Sequence, residues 1–224
     1  MLDVKGNYTT VRAILSNMNS QTPTRRPRSD GQRSRSAILH ASARLATIEG
    51  LNGLSIGGLA DHIGMSKSGL YAHFKSKEEL QLATIDTASE IFTAEVVEPA
   101  AAAPAGLARV WALSNEFLAH LERGVFPGGC FFASVAAEID TRPGRVRDRI
   151  VEFIVSWVGE VRRAVEDAQA AGEIDPAADA EQLTFEIDAM LLMANALYVL
   201  DPRPEVLERG RRGVAKLIGP EPAR

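Results

Sequence analysis

Two helix starts lie within residues 64–80, GMSKSGLYAHFKSKEEL. Ser66 is suited to cap a short helix, because a serine side chain accepts the free N–H groups of a first helical turn. Ser76, with a glutamate three residues later, has the spacing of a capping box and predicts the start of a longer helix. Leu70 and Phe74 form the apolar face of the short helix, so its opposite face is left small and polar.

Two apolar stripes precede this stretch and predict two further helices. They consist of Ile38, Ala41, Leu45 and Ile48, and of Ile56, Leu59, Ala60 and Ile63. Each stripe is followed by a glycine, Gly50 or Gly64, which suits the left-handed conformation that often ends a helix. The second stripe and the short helix after it have the proportions of a helix-turn-helix, whose second helix enters the major groove of DNA.

The sequence resembles the DNA-binding domain of the TetR family of bacterial regulators. The resemblance lies in the run Gly64–Leu80 together with Leu54–Ile56 and Leu59-Ala60, within the region from Arg33 to Leu82. It implies base contacts from Lys67, Ser68 and Gly69, and phosphate contacts from Ser55, Tyr71, His73 and Lys77. Gly57-Gly58, in the first turn of the second helix, departs from the family pattern. Two glycines weaken that helix, which argues against base contacts from it.

The residue types of the short helix also suit an approach to DNA. Its outer face carries Lys67, Ser68, Tyr71 and Ala72. Gly69 costs about 1 kcal/mol of helix stability relative to alanine, which close backbone approach to DNA would explain. Lys77 stands in a first helical turn, where the helix dipole disfavours a cation unless it binds a phosphate. Ser66 is expected to act as a helix cap first and as a phosphate donor second, while Tyr71 could instead pack against the next helix and His73 could cap the helix end.

Charge is divided unevenly along the chain. Residues 1–85 contain eleven Lys and Arg against six Asp and Glu, and the remainder contains fourteen against twenty-three. A basic module joined to an acidic one indicates that only the first faces nucleic acid. We expect three regions: a disordered basic arm at residues 1–32, a helix-turn-helix domain at 33–82 and a helical body at 83–224.

The expected arm is rich in Ser, Thr, Pro and Arg. The basic residues in and just after it are Arg25, Arg26, Arg28, Arg33 and Arg35. They could contact phosphates or a minor groove. A solvated tail, or a start assigned too far upstream, fits the same composition.

Five helices are expected in the body. They lie near Ala105–Glu122, Phe131–Asp140, Arg145–Ala171, Ala178–Leu200 and Glu205–Ile218, after an alanine-rich break at Pro99–Pro104. Since no alternating strand pattern is found, the sequence predicts an all-α protein of nine helices. The resemblance implies that the last two helices form a homodimer and that the middle ones enclose a ligand. The apolar second half of Ala178–Leu200 must be covered on more than one side, which suits a four-helix dimer bundle.

A ligand cavity in the body would be mostly apolar with a few polar anchors. The large side chains proposed to line it are Trp111, Phe117, Phe153, Trp157 and Phe185, with Asp188 and Asn195 as the polar anchors. Core packing is the alternative for each aromatic residue. A buried hydrogen bond or a place at the surface is the alternative for the two anchors.

Other classes of protein fit the sequence less well. The single cysteine, Cys130, excludes an intrachain disulfide framework and argues against a zinc site, so we expect no metal, no cofactor and a cytoplasmic protein. No apolar run reaches the roughly 20 residues that a membrane helix needs. An enzyme would have to use Cys130 with His120 and Asp140, and nothing in the sequence brings these three together.

The expected function is therefore that of a repressor that is not an enzyme. Its homodimer would bind a palindromic operator and be released by a small, largely apolar molecule. The long fourth helix, which joins the DNA-binding domain to the body, would transmit the change. A DNA-binding regulator controlled by a protein partner is the alternative, and an exposed apolar patch beyond the dimer interface would favour it.

Overall fold

The computed structural model describes residues 28–139 and 143–222, and every regular element in these residues is helical. The nine helices of this part are α1 (Arg28–Glu49), α2 (Ile56–Ile63), α3 (Lys67–Tyr71), α4 (Lys77–Phe92, continued by a π-helical turn Thr93–Val97 and a last turn Glu98–Ala100), α5 (Leu107–Glu122), α6 (Phe131–Ile139), α7 (Arg145–Ala170), α8 (Ala180–Leu200) and α9 (Pro204–Ile218). The predicted all-α fold is confirmed.

Local side-chain chemistry sets the starts of α2, α3 and α4. The hydroxyl groups of Ser55, Ser66 and Ser76 accept the backbone N–H three residues later, at 3.0, 3.1 and 3.1 Å. Glu79 completes the capping box in a shifted form, because its carboxylate accepts from the N–H of Lys75 at 2.9 Å instead of from the cap residue. The two caps predicted from the sequence, at Ser66 and Ser76, are therefore confirmed.

Two boundaries differ from the sequence expectation. α1 already begins at Arg28, so residues 28–32 belong to a helix and not to the arm, because Pro27 is the last proline before Gly50. Arg25 and Arg26 lie outside the described residues. The break expected from Pro99 onward begins later, since α4 runs on to Ala100 and Pro99 stands in the first turn after the π-helical segment, where a proline is tolerated.

The DNA-binding head consists of α1, α2 and α3, and α4 is tied to it. Ile38, Leu59, Leu70 and Phe74 are fully or almost fully buried in its core. At the start of α4 the side-chain amide of Gln81 donates to the carbonyl of Leu51 at 2.8 Å, and the hydroxyls of Ser42 and Thr84 are 2.7 Å apart. These contacts fix the head end of α4 to α1 and to the turn that follows it.

The body is formed by α5 to α9 around the second half of α4. α8 and α9 pack closely, because a Cβ atom at Gly210 would lie 3.1 Å from the Cβ of Ala194 and one at Gly213 would lie 2.8 Å from the sulfur of Met190. The opposite face of α8 is apolar and exposed. Its large exposed residues are Phe185, Met193, Leu197 and Leu200.

α8 also has the length and hydropathy of a membrane-crossing helix, whereas no such segment was expected from the sequence. The criterion is met by length and composition only, and 28% of its apolar window is buried inside the chain. Its contacts with α7 and α9 place it inside a helical bundle. The remaining apolar surface of α8 needs a partner of some kind.

Candidate DNA-binding surface and ligand cavity

The recognition helix α3 presents a short, open surface. Lys67, Ser68 and Tyr71 are exposed, and the Tyr71 side chain is 55% exposed, so it does not pack beneath α4. Leu70 is buried on the opposite side. The division of faces expected from the sequence is therefore present.

Lys67 makes two contacts with α2. Its ammonium group lies 3.6 Å from the carboxylate of Asp61, with both side chains exposed, and its side-chain carbons pass over Gly57, where an added Cβ would lie 3.6 Å from Lys67 Cε. Exposed ion pairs of this kind contribute about 0 to 1 kcal/mol, so Lys67 can leave Asp61 at little cost. Despite Gly57 and Gly58, α2 forms all of its eight residues.

Gly69 has a structural reason within the chain. A Cβ atom at this position would lie 3.0 Å from the Ser66 hydroxyl that caps α3, which is tighter than an ordinary contact. Glycine thus gives the cap its room and also leaves the backbone of α3 open to an approaching molecule. The cost in helix propensity is explained without invoking DNA.

The other predicted phosphate contacts surround α3. Ser55 caps α2, and Lys77 donates from its ammonium group to the carbonyl of Asn52 in the turn after α1. His73 is half-buried at the end of α3, and burial followed by the charge of Arg35 lowers its pKa. Ser55, His73 and Lys77 therefore lie on or beside the surface around α3. Their contact with phosphates stays a prediction.

Arg35 holds the end of the recognition helix and was misassigned to the basic arm. Its guanidinium group donates to the carbonyl of His73 at 2.6 Å and lies 4.3 Å from the centroid of the Phe74 ring. It therefore joins α1 to the end of α3. Its spacing of three residues from Ile38 was the available signal, because that spacing puts it beside the buried stripe of α1.

Glu138 of α6 joins the body to the head, and no pattern in the sequence indicates this contact. Its two carboxylate oxygens accept the N–H groups of Leu51 and Asn52, each at 3.1 Å. The side-chain amide of Asn52 donates in return to the carbonyl of Glu138 at 3.2 Å. Gly50, at φ +81°, lies so close that an added Cβ would be 2.7 Å from the carboxylate.

A cavity of about 290 Å³ lies in the body between α4, α5, α6, α7 and α8. Five predicted residues line it, namely Phe117, Phe153, Trp157, Asp188 and Asn195, together with Phe92, Phe132 and Cys130. Phe92 comes from α4, immediately before the π-helical turn. The cavity thus touches the helix that reaches the DNA-binding head.

Two predicted lining residues lie elsewhere. Trp111 is buried in α5 away from the cavity, because it stands on a different face of that helix from Phe117. Phe185 is 68% exposed on the outward face of α8, which also carries Met193 and Leu200. Helical periodicity identified both as apolar but could not tell a core position or an outer face from a cavity wall.

The two predicted polar anchors already have partners inside the chain. Asn195 accepts the N–H of Cys130 at 2.8 Å, which fixes the start of α6 on α8. Asp188 accepts the indole N–H of Trp157 at 2.9 Å. Burial raises the pKa of Asp188, and the bond from Trp157 opposes this shift.

The residues of the enzyme alternative are poorly suited to catalysis. Burial raises the pKa of the Cys130 thiol to about 11, so the nucleophilic thiolate is scarce at neutral pH. Burial also lowers the pKa of His120 to about 4, and its two ring nitrogens have no hydrogen-bond partner in the described part of the chain. Asp140 lies outside the described residues. Within those residues, no group of three or more His, Cys, Asp and Glu could hold a metal ion.

A second, more open groove of about 620 Å³ runs between α4 and α7. Phe92, Phe153 and Trp157 line both this groove and the inner cavity, so they form an aromatic partition between the two spaces. Apart from Ile85 and Val97, the other residues of the groove are polar. Its charged residues are Asp86, Glu90, Arg149, Glu152 and Glu160.

Comparison with known proteins agrees with both parts of the molecule. Residues 38–84 match the family model described as "Bacterial regulatory proteins, tetR family", and residues 106–214 match "Tetracyclin repressor-like, C-terminal domain". The two matches together cover more than two thirds of the chain. Among curated proteins, none matches the sequence significantly.

Several solved structures share the fold. A TetR transcriptional regulator from Chloroflexus aurantiacus J-10-fl is 29% identical, with a TM-score of 0.77 over 85% of this chain and 96% of that one. AibR, solved with isovaleryl coenzyme A and operator DNA, is 25% identical, with a TM-score of 0.69 over 83% of this chain and 99% of that one. A TetR-family regulator from Cytophaga hutchinsonii is 20% identical, with a TM-score of 0.73 over 90% of this chain and all of that one, and supports the fold alone. Since both family models and the full nine-helix arrangement of the described residues agree, the chain belongs to the TetR family of bacterial transcriptional regulators.

Proposed function

We propose that this protein is a cytoplasmic transcriptional repressor, that it binds a palindromic operator as a homodimer, and that a small, largely apolar molecule releases it. The observation that carries the proposal is Phe92, which lies in the wall of the body cavity and belongs to the same helix that begins beside α3. A molecule in the cavity would therefore touch the element that positions the DNA-binding head. AibR, solved with both isovaleryl coenzyme A and operator DNA, supports this pairing of a small molecule with DNA.

The DNA surface would be formed by α3 and the residues around it. Lys67, Ser68 and Gly69 would meet base edges, since α3 is open on that side and its buried face is already occupied by Leu70. Phosphates would be held by the remaining residues of the surface, Ser55, Ser66, Tyr71, His73 and Lys77. Lys77 would exchange its present partner, the carbonyl of Asn52, for a phosphate oxygen.

The dimer would form through α8 and α9. The outward face of α8 exposes large apolar side chains along its whole length, including Phe185 and Leu200 at its two ends. A second copy related by two-fold symmetry would cover this face with the same face of its own α8. Two recognition helices would then enter successive major grooves about 34 to 36 Å apart, which is why the operator is expected to be palindromic.

Release would act through two links between cavity and head. The first is α4, which places Phe92 in the cavity wall and its first turns against α1. The second is α6, which places Cys130 and Phe132 in the cavity wall and Glu138 on the backbone of the turn after α1. A ligand that shifts either helix changes the angle of the head and thus the spacing of the two recognition helices.

The ligand needs only a preference for the arrangement that does not bind DNA. A hundredfold preference at one site corresponds to about 2.7 kcal/mol, and two occupied sites in a dimer to about 5.5 kcal/mol. This amount is enough to empty most operators. Control by a protein partner is less well supported, because the body has a lined internal cavity and the exposed face of α8 is accounted for by the dimer.

The experiment that tests the proposal is selection of duplexes from a random DNA pool by the purified full-length chain. The expected result is enrichment of a palindrome and, by sedimentation, one protein dimer on each selected duplex. A chain that enriches no sequence, or that binds its enriched sequence as a stable monomer, contradicts the proposal. Lys67→Ala serves as the matched variant, because the loss of a base contact should relax one position of the palindrome without abolishing binding.

A further inference from the structure

The inner cavity and the outer groove lie on either side of a shared aromatic wall, and we call the two spaces together the route. Phe92 is the centre of that wall, with ring centroids 5.1 Å from both Phe153 and Trp157 and nearly perpendicular ring planes. The wall faces the polar groove on one side and the apolar cavity on the other. A molecule that enters from the groove must therefore pass or displace aromatic rings.

The charges along this route are strongly one-sided. Among the described residues that line the two spaces, four carboxylates stand in the groove and one in the cavity, and Arg149 is the one cation. Arg149 is already engaged, because its guanidinium group pairs with Asp86 and lies 3.0 Å from a carboxylate oxygen of Glu152. Glu160 is likewise paired, with Arg163, while Asp86 and Glu152 share the single cation Arg149. The lining still carries more negative than positive charge, so it favours a cation over an anion.

Asp188 continues this pattern to the inner side of the wall. One of its carboxylate oxygens accepts from Trp157, while the other has no hydrogen-bond partner among the described residues. Asp188 is half-buried, and a cation placed beside its free oxygen would stabilise the charge of a carboxylate that burial has partly removed from water. The rings of Phe92, Phe153 and Trp157 add a favourable surface for a cation, since their faces carry negative charge density.

We propose that the effector of this protein is an organic cation, with an apolar body in the inner cavity and an amine or quaternary ammonium group between the aromatic wall and Asp188. This inference rests on the proposed function, because it names the class of molecule bound by the same cavity. It also distinguishes this chain from AibR, which was solved in complex with isovaleryl coenzyme A. The phosphate groups of a coenzyme A thioester would meet the carboxylates of the groove, and the one arginine there is already paired.

The test compares three probes on the wild-type, full-length protein by calorimetry and by tryptophan fluorescence, to which Trp111 and Trp157 both contribute. Benzyltrimethylammonium is the cation, neopentylbenzene is its neutral carbon isostere of the same shape, and isovaleryl coenzyme A is the anion. We expect the cation to bind at least about tenfold more tightly than the isostere. We expect no measurable binding of the anion.

The variant Asp188→Asn isolates the charge. The asparagine oxygen can still accept the Trp157 N–H, so the packing of the site is kept while the counter-ion is lost. Affinity for benzyltrimethylammonium should fall by about thirtyfold, as for a buried charge pair that loses one partner, and affinity for neopentylbenzene should change little. Glu186→Gln is the matched control, because it removes the same charge from α8 at a residue outside the cavity lining and should leave the preference intact.

Each result has a defined meaning. Equal or tighter binding of neopentylbenzene or isovaleryl coenzyme A, or no binding of benzyltrimethylammonium to the folded wild-type protein, overturns the inference. The wild-type comparison decides the matter even if Asp188→Asn fails to fold. If the same preparation selects a palindromic duplex but does not prefer the cation, the proposed function stands and the inference fails. If it prefers the cation but selects no duplex, the cavity binds cations as inferred, and the proposed function fails.

Discussion

Replacing Glu138 by glutamine should loosen the connection between body and head. The carboxylate of Glu138 accepts two backbone N–H groups, from Leu51 and Asn52, with one oxygen for each. In Glu138→Gln one of these oxygens becomes an NH₂ group, which can only donate and therefore faces another donor. One charge-assisted hydrogen bond is lost and the other is weakened.

The size of the effect follows from these two bonds. A hydrogen bond to a charged group contributes about 1.5 to 3 kcal/mol, so a loss of about 2 kcal/mol is expected. For a chain of this length, that loss lowers Tm by roughly 5 °C. Local opening of the turn after α1 should become about thirtyfold more frequent, because a factor of ten corresponds to about 1.4 kcal/mol.

Hydrogen exchange measured residue by residue is the direct assay. The amides of Leu51 and Asn52 should exchange about thirtyfold faster in Glu138→Gln, while the amides in the middle of α7 keep their protection. Glu98→Gln is the control, since it removes the same charge from an exposed residue at the body end of α4. Unchanged exchange at Leu51 and Asn52 together with an unchanged Tm would refute the assignment of Glu138 as the link between α6 and the head.

Four further outcomes are expected. Lys77→Ala should weaken binding to specific and random duplexes alike and reduce the slope of log K against log salt by about 0.9, as measured by fluorescence titration; an unchanged slope removes Lys77 from the DNA surface. Lys67→Ala should cost roughly 1 to 3 kcal/mol on the operator alone, and an equal loss on random DNA would assign Lys67 to the backbone. Deletion of residues 202–224 removes α9 and should abolish dimers in sedimentation, so an intact dimer would place the interface elsewhere. The pKa of His120 is lowered from 6.5 to about 4 in the folded protein, so on acidification the unfolded chain takes up the proton first. The free energy of unfolding should therefore fall by roughly 3 kcal/mol between pH 6.5 and 4. A curve of Tm against pH that is equally steep in His120→Leu would contradict this.

The head could be predicted closely because its signals are local. Ser66 and Ser76 cap helices through contacts three residues away, and Gly64 ends α2 at φ +71°, so a short window of sequence contains each cause. The predicted start of α1 is too late because no apolar stripe precedes Ile38, although a helix can begin without one.

Two long-range contacts, one between body and head and one within the head, could not be predicted because their partners are far apart in the chain. Glu138 lies 87 residues from Leu51 and reads as an ordinary helical glutamate. Arg35 contacts the carbonyl of His73, 38 residues away, and was grouped with basic residues of a tail. No periodicity in the sequence encodes either distance.

The cavity was predicted in part for a related reason. Phe117, Phe153 and Trp157 were found because large apolar residues in the middle helices are few, whereas Trp111 and Phe185 belong to the same class but face other surroundings. Phe92 was not among the predicted lining residues, because its place in the cavity wall depends on how α4 packs against α5 and α7. The outer groove has no pattern in the sequence, since its charges come from two helices that meet only in the fold.

The central claim is that one protein couples an internal ligand to operator DNA, and the linkage between the two affinities tests it directly. The measurement uses the operator obtained by selection and the compound that raises Tm most in a screen. The affinity for operator is determined with and without that compound. The affinity for the compound is then determined with and without operator. The account predicts that both affinities fall by the same total factor, on the order of a hundredfold for each occupied site. Equal affinities in the presence and absence of the other molecule would show that the cavity does not control DNA binding and would contradict the account.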